Sequence, residues 1–232
     1  MLVLVTGIGR EGQVGEIVAR AFGERGATVL VVDRLAEEAQ ARARALADAG
    51  HRASAYGCDL TNADEVGELA AHVRADHGDR LDALVSMAGG FASSGTVADS
   101  AADVWQRMLA INLTTAYLTT RAFLPLVRAA RGSIVYFASE AVLPGSRIAG
   151  MAAYAAAKTG VATLMQAVAQ EERTNGVRAN ALAPGSIRTA ANLQSMGSNM
   201  RYVEREDVAA AAVWLCSDAA RAVTGQVIRL QG

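Results

Sequence analysis

Tyr154 and Lys158 stand four residues apart in the run Tyr154-Ala-Ala-Ala-Lys158, and Ser139 closes an apolar run upstream of them. On a helix that spacing puts both side chains on one face, one turn apart, with an ammonium beside a phenol. A free phenol titrates near ~10 and a free lysine near ~10.4, so neither is a useful acid or base at neutral pH. Neighbouring positive charge favours phenolate, and lowering the phenol by about three units takes roughly 4 kcal/mol of differential stabilisation. The spacing therefore predicts that Tyr154 is a proton donor and acceptor matched to physiological pH. A tyrosine and a lysine so spaced are more often a plain helix-surface pair. The case depends on the elements that position them.

The amino-terminal residues supply a second piece of chemistry. Leu2-Val3-Leu4-Val5 is a short apolar, branched run of the kind a strand buried on both faces needs. Thr6-Gly7-Ile8-Gly9-Arg10-Glu11-Gly12-Gln13-Val14-Gly15 follows, after which Val14, Ile17, Val18, Ala21 and Phe22 fall on one helical face. Strand, glycine-rich turn and helix make a phosphate site, because glycines let backbone N–H groups approach a pyrophosphate at the positive end of the helix. A second apolar strand, Ala27 to Val32, ends at Asp33. This carboxylate sits where a dinucleotide fold places its ribose-binding acid.

Apolar runs at 2–6, 27–32, 53–57, 82–86, 133–138, 177–183 and 226–230 alternate with alanine-rich helical segments. Such alternation predicts an α/β fold with a parallel sheet of about seven strands, right-handed crossovers and helices on both faces. No linker or composition shift divides residues 1–232, so a single domain is expected. The 52% hydrophobic content suits a doubly covered sheet, and a net charge of −1 offers no footprint for nucleic acid or an anionic membrane. No apolar run reaches membrane-spanning length, and no targeting segment is read ahead of the strand at Leu2, so a cytoplasmic protein is expected. Cys58 and Cys216 form no disulfide framework, and the histidines His51, His72 and His77 show no metal-ligand grouping. The arginines between Ala39 and Ala49 read as a solvated helix face.

These features together resemble the short-chain dehydrogenase/reductase family over essentially the whole chain. Asn112 in Ile111-Asn112-Leu113, Ser139, Tyr154 and Lys158 match the family's catalytic asparagine, serine, tyrosine and lysine. Further matches are Asp59 in Cys58-Asp59-Leu60, Ala88-Gly89 after the fourth strand, Asn180 to Gly185 after the sixth, and Thr224-Gly225-Gln226-Val227. The resemblance implies a Rossmann-like, doubly wound sheet and hydride transfer between a nicotinamide cofactor and a carbonyl or secondary alcohol, 3-oxoacyl reductase-like. It implies that Ser139 binds the substrate oxygen, that Tyr154 exchanges the proton, and that Lys158 holds the nicotinamide ribose. Asn112 would hold a water of a proton relay through a local distortion of the helix read over Val104 to Arg128. The implied cofactor contacts are Gly7, Gly9, Gly12, Val14, Gly15, Asp33, Arg34, Asp59, Leu60, Ala88, Gly89, Tyr154, Lys158, Pro184, Gly185, Ile187 and Thr189. Of these, Asp59 would touch adenine, while Gly185, Ile187 and Thr189 would fix the carboxamide.

The chain also departs from the family pattern. Gly12 and Gly15 follow Gly7 after a longer loop with a wider final gap than the usual T-G-x-x-x-G-x-G. Ser86-Met87-Ala88-Gly89-Gly90 replaces Asn-Asn-Ala-Gly, and with Phe91 it is similar to a branch that includes dihydropteridine reductase-like enzymes. That reaction is the runner-up, and a non-catalytic protein sensing nicotinamide cofactor is the rival from another class. Residues 190–205 form a short substrate lid, with Arg147 and Arg201 as candidates for an anionic substrate group. Asp33 favours NAD(H), with NADP(H) possible through Arg34 or Arg10. An apolar last segment, Val223 to Gly232, is an edge that partners would cover, so a homotetramer is expected, with a dimer second.

Overall fold

Each predicted apolar run is a strand in the computed structural model, which describes residues Met1–Gly232. The strands are β1 (Leu2–Thr6), β2 (Thr28–Asp33), β3 (Arg52–Gly57), β4 (Ala83–Ser86), β5 (Ser133–Phe137), β6 (Arg178–Pro184) and β7 (Val227–Leu230). They form one parallel sheet in the order β3-β2-β1-β4-β5-β6-β7. Eight α-helices lie between them: α1 (Val14–Glu24), α2 (Ala36–Asp48), α3 (Ala63–His77), α4 (Ala102–Leu109), α5 (Thr115–Ala130), α6 (Ala152–Glu171), α7 (Ala190–Met196) and α8 (Arg205–Leu215).

Strand side chains alternate between the two faces, and each face is sealed by its own helix layer. Leu4, Leu84 and Ile134 pack with Leu69, Phe123 and Met165 of α3, α5 and α6. Val3, Val5 and Val135 point the other way, against Val18 and Phe22 of α1, Leu46 of α2 and Val213 of α8. Each fully buried side chain of this size contributes roughly 1.5–3 kcal/mol, so both layers are anchored on the sheet.

The order reverses between β1 and β4: β2 and β3 build outward from one, β5 to β7 from the other. Loops leaving these two strands diverge, and the crevice between them is where such sheets bind ligands. Thr6 pins the crevice floor, its Oγ1 accepting the N–H groups of Met87 (3.1 Å) and Ala88 (3.2 Å).

The helix read over 104–128 is α4 and α5 joined by a π-helical turn at Ala110–Thr114, the local distortion expected at Asn112. Two expectations need correction. Asn180 to Pro184, expected after the sixth strand, lies within β6, because Asn180 is paired with Val135 of β5. The closing strand is only Val227–Leu230, since β6 pairs with it over four residues. No helix is long and apolar enough to cross a membrane.

Candidate active site

Ser139 lies two residues beyond β5, its Oγ accepting the Ala141 N–H at 3.2 Å. Tyr154 is in the first turn of α6, and Lys158 follows one turn later on the same face. The lysine is buried, 6% exposed, and its Nζ donates to the Phe137 carbonyl at 2.7 Å. That ammonium lies 6.0 Å from the centroid of the Tyr154 ring.

Asn112 sits inside the π-helical turn and is 1% exposed. Its Nδ2 donates to the carbonyls of Gly90 and Met108, both at 3.0 Å, and its Oδ1 accepts the Gly90 N–H at 3.1 Å. The side chain therefore pins the loop after β4, a contact with no signal in the sequence. Gly89 makes this convergence possible: a Cβ there would lie 2.5 Å from Asn112 Oδ1 and 3.3 Å from Lys158 Nζ. Phe91, 62% exposed, stands edge-on against the Tyr154 ring with centroids 5.2 Å apart.

In the protein alone, burial sets the direction for both titratable groups. Burial raises the Tyr154 pKa above its ordinary value, and the Ser139 hydroxyl offsets only part of that rise. Burial also pushes the Lys158 ammonium down to about 8, because a cation this deep loses its hydration. Without a cofactor, Tyr154 is thus a protonated phenol at neutral pH.

The glycine-rich loop has the conformation its composition requires. Gly7, Gly9 and Gly12 adopt φ of 67°, 70° and 73°, where a side chain is strained. A Cβ on Gly7 would also approach Ala88 Cα at 2.6 Å, and one on Gly15 would run into the Ile8 carbonyl oxygen. The start of α1 has no side-chain cap at Gln13, and Val14 is its first helical residue. First-turn N–H groups at a positive helix end, behind glycines a side chain would obstruct, fit a pyrophosphate. Asp33 ends β2, its carboxylate accepting the N–H groups of Gly9 (3.0 Å) and Leu35 (3.1 Å). Arg34 beside it is exposed.

Asp59 has a structural task as well. Its Oδ1 accepts the N–H and hydroxyl of Thr61 at 2.9 and 2.7 Å, an Asx turn ahead of α3. These bonds, with a lesser contribution from Arg34, hold its carboxyl below the usual range. Leu60 is buried among the core residues. Pro184 ends β6, and Gly185 N–H donates to the Leu230 carbonyl at 3.0 Å. Ile187 pairs with Val203, and Thr189 caps α7 by accepting the Asn192 N–H at 3.2 Å. Glu140, which the sequence did not single out, bonds Arg229 and Gln231 and abuts Gly185, joining the Ser139 turn to the end of the chain.

The predicted groups gather at the carboxyl ends of β1, β2, β4, β5 and β6. A cavity of about 680 Å³ lies elsewhere, at the opposite ends of the strands, lined by Arg131, Arg173, Arg178 and Arg221. Arg178 there is spent on the carbonyls of Leu215 and Ser217 at the end of α8. Convergent chemistry, rather than volume, marks the site.

A profile of the family described as enoyl-(acyl carrier protein) reductase matches residues 7–232. The chain belongs to the short-chain dehydrogenase/reductase family. It is 36% identical to cis-4-hydroxycyclohexanecarboxylate dehydrogenase of Sinomonas cyclohexanicum, over 97% of this chain and 93% of the relative. It is 34% identical to the inactive 2-(S)-hydroxypropyl-CoM dehydrogenase 2 of Xanthobacter autotrophicus, over 93% of this chain and 98% of that one. Among solved structures, a short-chain dehydrogenase/reductase from Burkholderia xenovorans superposes with a TM-score of 0.88 at 34% identity, covering 100% of this chain and 94% of that one. As a member of this family the chain is an oxidoreductase of the alcohol–carbonyl couple that works with a nicotinamide cofactor.

Proposed function

We propose that the protein interconverts a secondary alcohol and a ketone with NAD(H), using Ser139, Tyr154, Lys158 and Asn112. The observation that carries this reading is the meeting of Asn112 and Lys158 across Gly89, beside Tyr154, with Gly7 of the glycine-rich loop close against Ala88. When bound, a nicotinamide ring supplies or takes up the hydride. Ser139 and Tyr154 hydrogen-bond the substrate oxygen, which gains negative charge as the carbonyl is reduced. Tyr154 delivers its phenolic proton to that oxygen, and in the reverse direction it takes the alcohol proton. Lys158 holds positive charge near the phenol and, on this reading, binds the nicotinamide ribose. Asn112 fixes the Gly89–Gly90 turn that borders the site, and the relay water is assigned to it by resemblance alone.

The crevice rim supports a substrate with an apolar body. Phe91, Ile148 and Met200, on the loops that follow β4, β5 and α7, and Met196 at the end of α7 are exposed. Arg147 and Arg201 are exposed nearby in sequence and make no ion pair, leaving them able to meet an anionic group. A panel of 3-oxoacyl thioesters, alicyclic hydroxy acids, simple ketones and pteridines, assayed with both cofactors, tests the reading. Turnover of a ketone or secondary alcohol supports it, and turnover of pteridines alone would replace it with the runner-up. One relative is named as inactive, so the fold by itself does not decide turnover. Here all four catalytic residue types are retained. Cofactor binding with no turnover across the panel would favour the sensor reading.

Asp33 supports NAD(H). Its carboxylate can accept hydrogen bonds from ribose hydroxyls but repels a 2′-phosphate, by on the order of 4 kcal/mol at about 4 Å and an effective dielectric near 20. Even half of that is roughly thirty-fold in preference. Arg10, a candidate phosphate partner, instead lies 3.8 Å from Glu38. The expected result is a wild type that prefers NAD(H) in kcat/KM and an Asp33→Ala variant shifted at least ten-fold toward NADP(H). An unchanged ratio in the variant would refute the role of this carboxylate.

A homotetramer is proposed, with a dimer second. The outer edge of β7 and the half-exposed aromatic side chains Tyr117 of α5 and Trp214 of α8 are surfaces that a symmetric partner would cover. Light scattering at micromolar concentration should give a multiple of the chain mass, and a stable monomer would refute it.

A further inference from the structure

Gly12 is held from both sides by charged side chains of two different helices. Glu16 of α1 accepts its N–H at 2.6 Å, and Arg205, the first residue of α8, donates to its carbonyl at 2.5 Å. Around it the widened loop has little backbone bonding of its own, Gln13 N–H to the Arg10 carbonyl at 3.1 Å being the link inside it. Both polar groups of the residue at φ 73° are thus committed to side chains. The two side chains take the place of the tighter turn that a shorter loop would form.

The carboxylate is also made compatible with an anionic ligand. Glu16 is 6% exposed in the first turn of α1, where negative charge suits the helix dipole but repels a pyrophosphate seated at the same helix end. Arg20 and Arg42 stand 3.5 and 3.6 Å from Glu16 Oε1 and offset that charge. Arg42 was expected on a solvated face, yet its side chain is only 11% exposed, with Nε and Nη1 lacking hydrogen-bond partners. Its inward turn is explained by the carboxylate it faces.

Arg205 connects the loop to the substrate lid. It follows Glu204, whose carboxylate accepts from Arg188 Nε at 2.6 Å and so closes the base of the segment carrying α7. The Arg188 guanidinium also lies 5.1 Å from the Tyr202 ring.

On the reading that this crevice binds a nicotinamide cofactor, we propose that Glu16 and Arg205 are positioning residues for it. They set the shape of the glycine loop through Gly12, and Arg205 makes that shape depend on the anchored base of the lid. Binding of NADH and NAD to the purified protein, followed by calorimetry, tests this with Arg205→Met, Arg205→Lys, Glu16→Ala and Glu16→Gln. Arg205→Met and Glu16→Ala should each raise the cofactor Kd ten-fold or more, with the kinetic loss falling on the cofactor KM rather than on kcat. Lysine at 205 can still donate to the carbonyl and glutamine at 16 can still accept the N–H, so these two should restore most of the affinity. Arg188→Met, which frees the lid base without touching the loop, should weaken the cofactor several-fold. Wild-type Kd values in Arg205→Met and Glu16→Ala would overturn the proposal while leaving the cofactor reading intact. Equal losses in the conservative and the truncating variants, tracking a fall in Tm, would also overturn it. A wild type that binds neither cofactor would sink both.

Discussion

Tyr154→Phe is expected to lower kcat by about 10³-fold while leaving the affinity for cofactor within a few-fold of wild type. The substitution removes only the hydroxyl, so the ring keeps its edge-on contact with Phe91 and the fold is undisturbed. The loss should appear in both directions, because the same oxygen gives the proton in reduction and takes it in oxidation. The direction of the Tyr154 shift also fixes a pH dependence. Since burial favours the neutral phenol, carbonyl reduction should proceed at neutral pH and weaken only under alkaline conditions. Alcohol oxidation, which needs the phenolate, should speed up as pH rises. Steady-state rates on one proven alcohol–ketone pair measure all of this. A variant with near-wild-type turnover would remove Tyr154 from the mechanism.

The second large effect couples stability to function. Lys158 is buried, and its pKa is lowered from 10.5 to about 8 by desolvation. The unfolded chain holds this proton up to ~10.5, so between about 8 and 10.5 unfolding takes up a proton and stability rises with pH. Below about 8 the folded protein carries the full cost of the buried charge, roughly 3 kcal/mol by that shift. Lys158→Met should remove this cost while giving up the bond to the Phe137 carbonyl, worth about 1 kcal/mol. The net expectation is a variant more stable by about 2 kcal/mol at pH 7, or roughly 4–8 °C in Tm, and catalytically crippled by at least ~100-fold. Calorimetry at pH 7 and again near pH 10 checks it, the gap between variant and wild type narrowing at the higher pH. A lower Tm for the variant at pH 7 would show that the ammonium stabilises the site instead.

What could be read ahead of the structure was whatever depends on residue type and local spacing. The Tyr154–Lys158 pair, Ser139 beyond a buried strand, and strand, glycine loop, helix and Asp33 in order are all short-range patterns, and the structure places each as expected. The seven strands were legible because each apolar run is bounded by polar or glycine-rich residues, although their ends moved by a residue or so. Pairing across the sheet decides those ends, as with Pro184, which β6 gains opposite Leu230 of β7.

What escaped the sequence depends on long-range approach. The burial that raises Tyr154 and lowers Lys158 in the protein alone depends on packing that residue spacing does not show. Asn112 was recognised by resemblance, but its grip on Gly90 needs a π-helical turn to meet a loop 22 residues away. The Glu16–Gly12–Arg205 clamp spans 193 residues, and the inward turn of Arg42 follows from that carboxylate. Arginines in a polar helical stretch give no hint of which one faces in.

The most direct test of the central claim follows the hydrogen itself. NADH carrying deuterium at one C4 position of the nicotinamide ring is incubated with the enzyme and a ketone substrate, and the alcohol is analysed by mass spectrometry, with the opposite C4 label run in parallel. One of the two labels should appear as a single deuterium on the carbinol carbon, at a rate lost in Tyr154→Phe. Unlabelled alcohol from both, or no oxidation of the cofactor with any ketone, would contradict hydride transfer at this site.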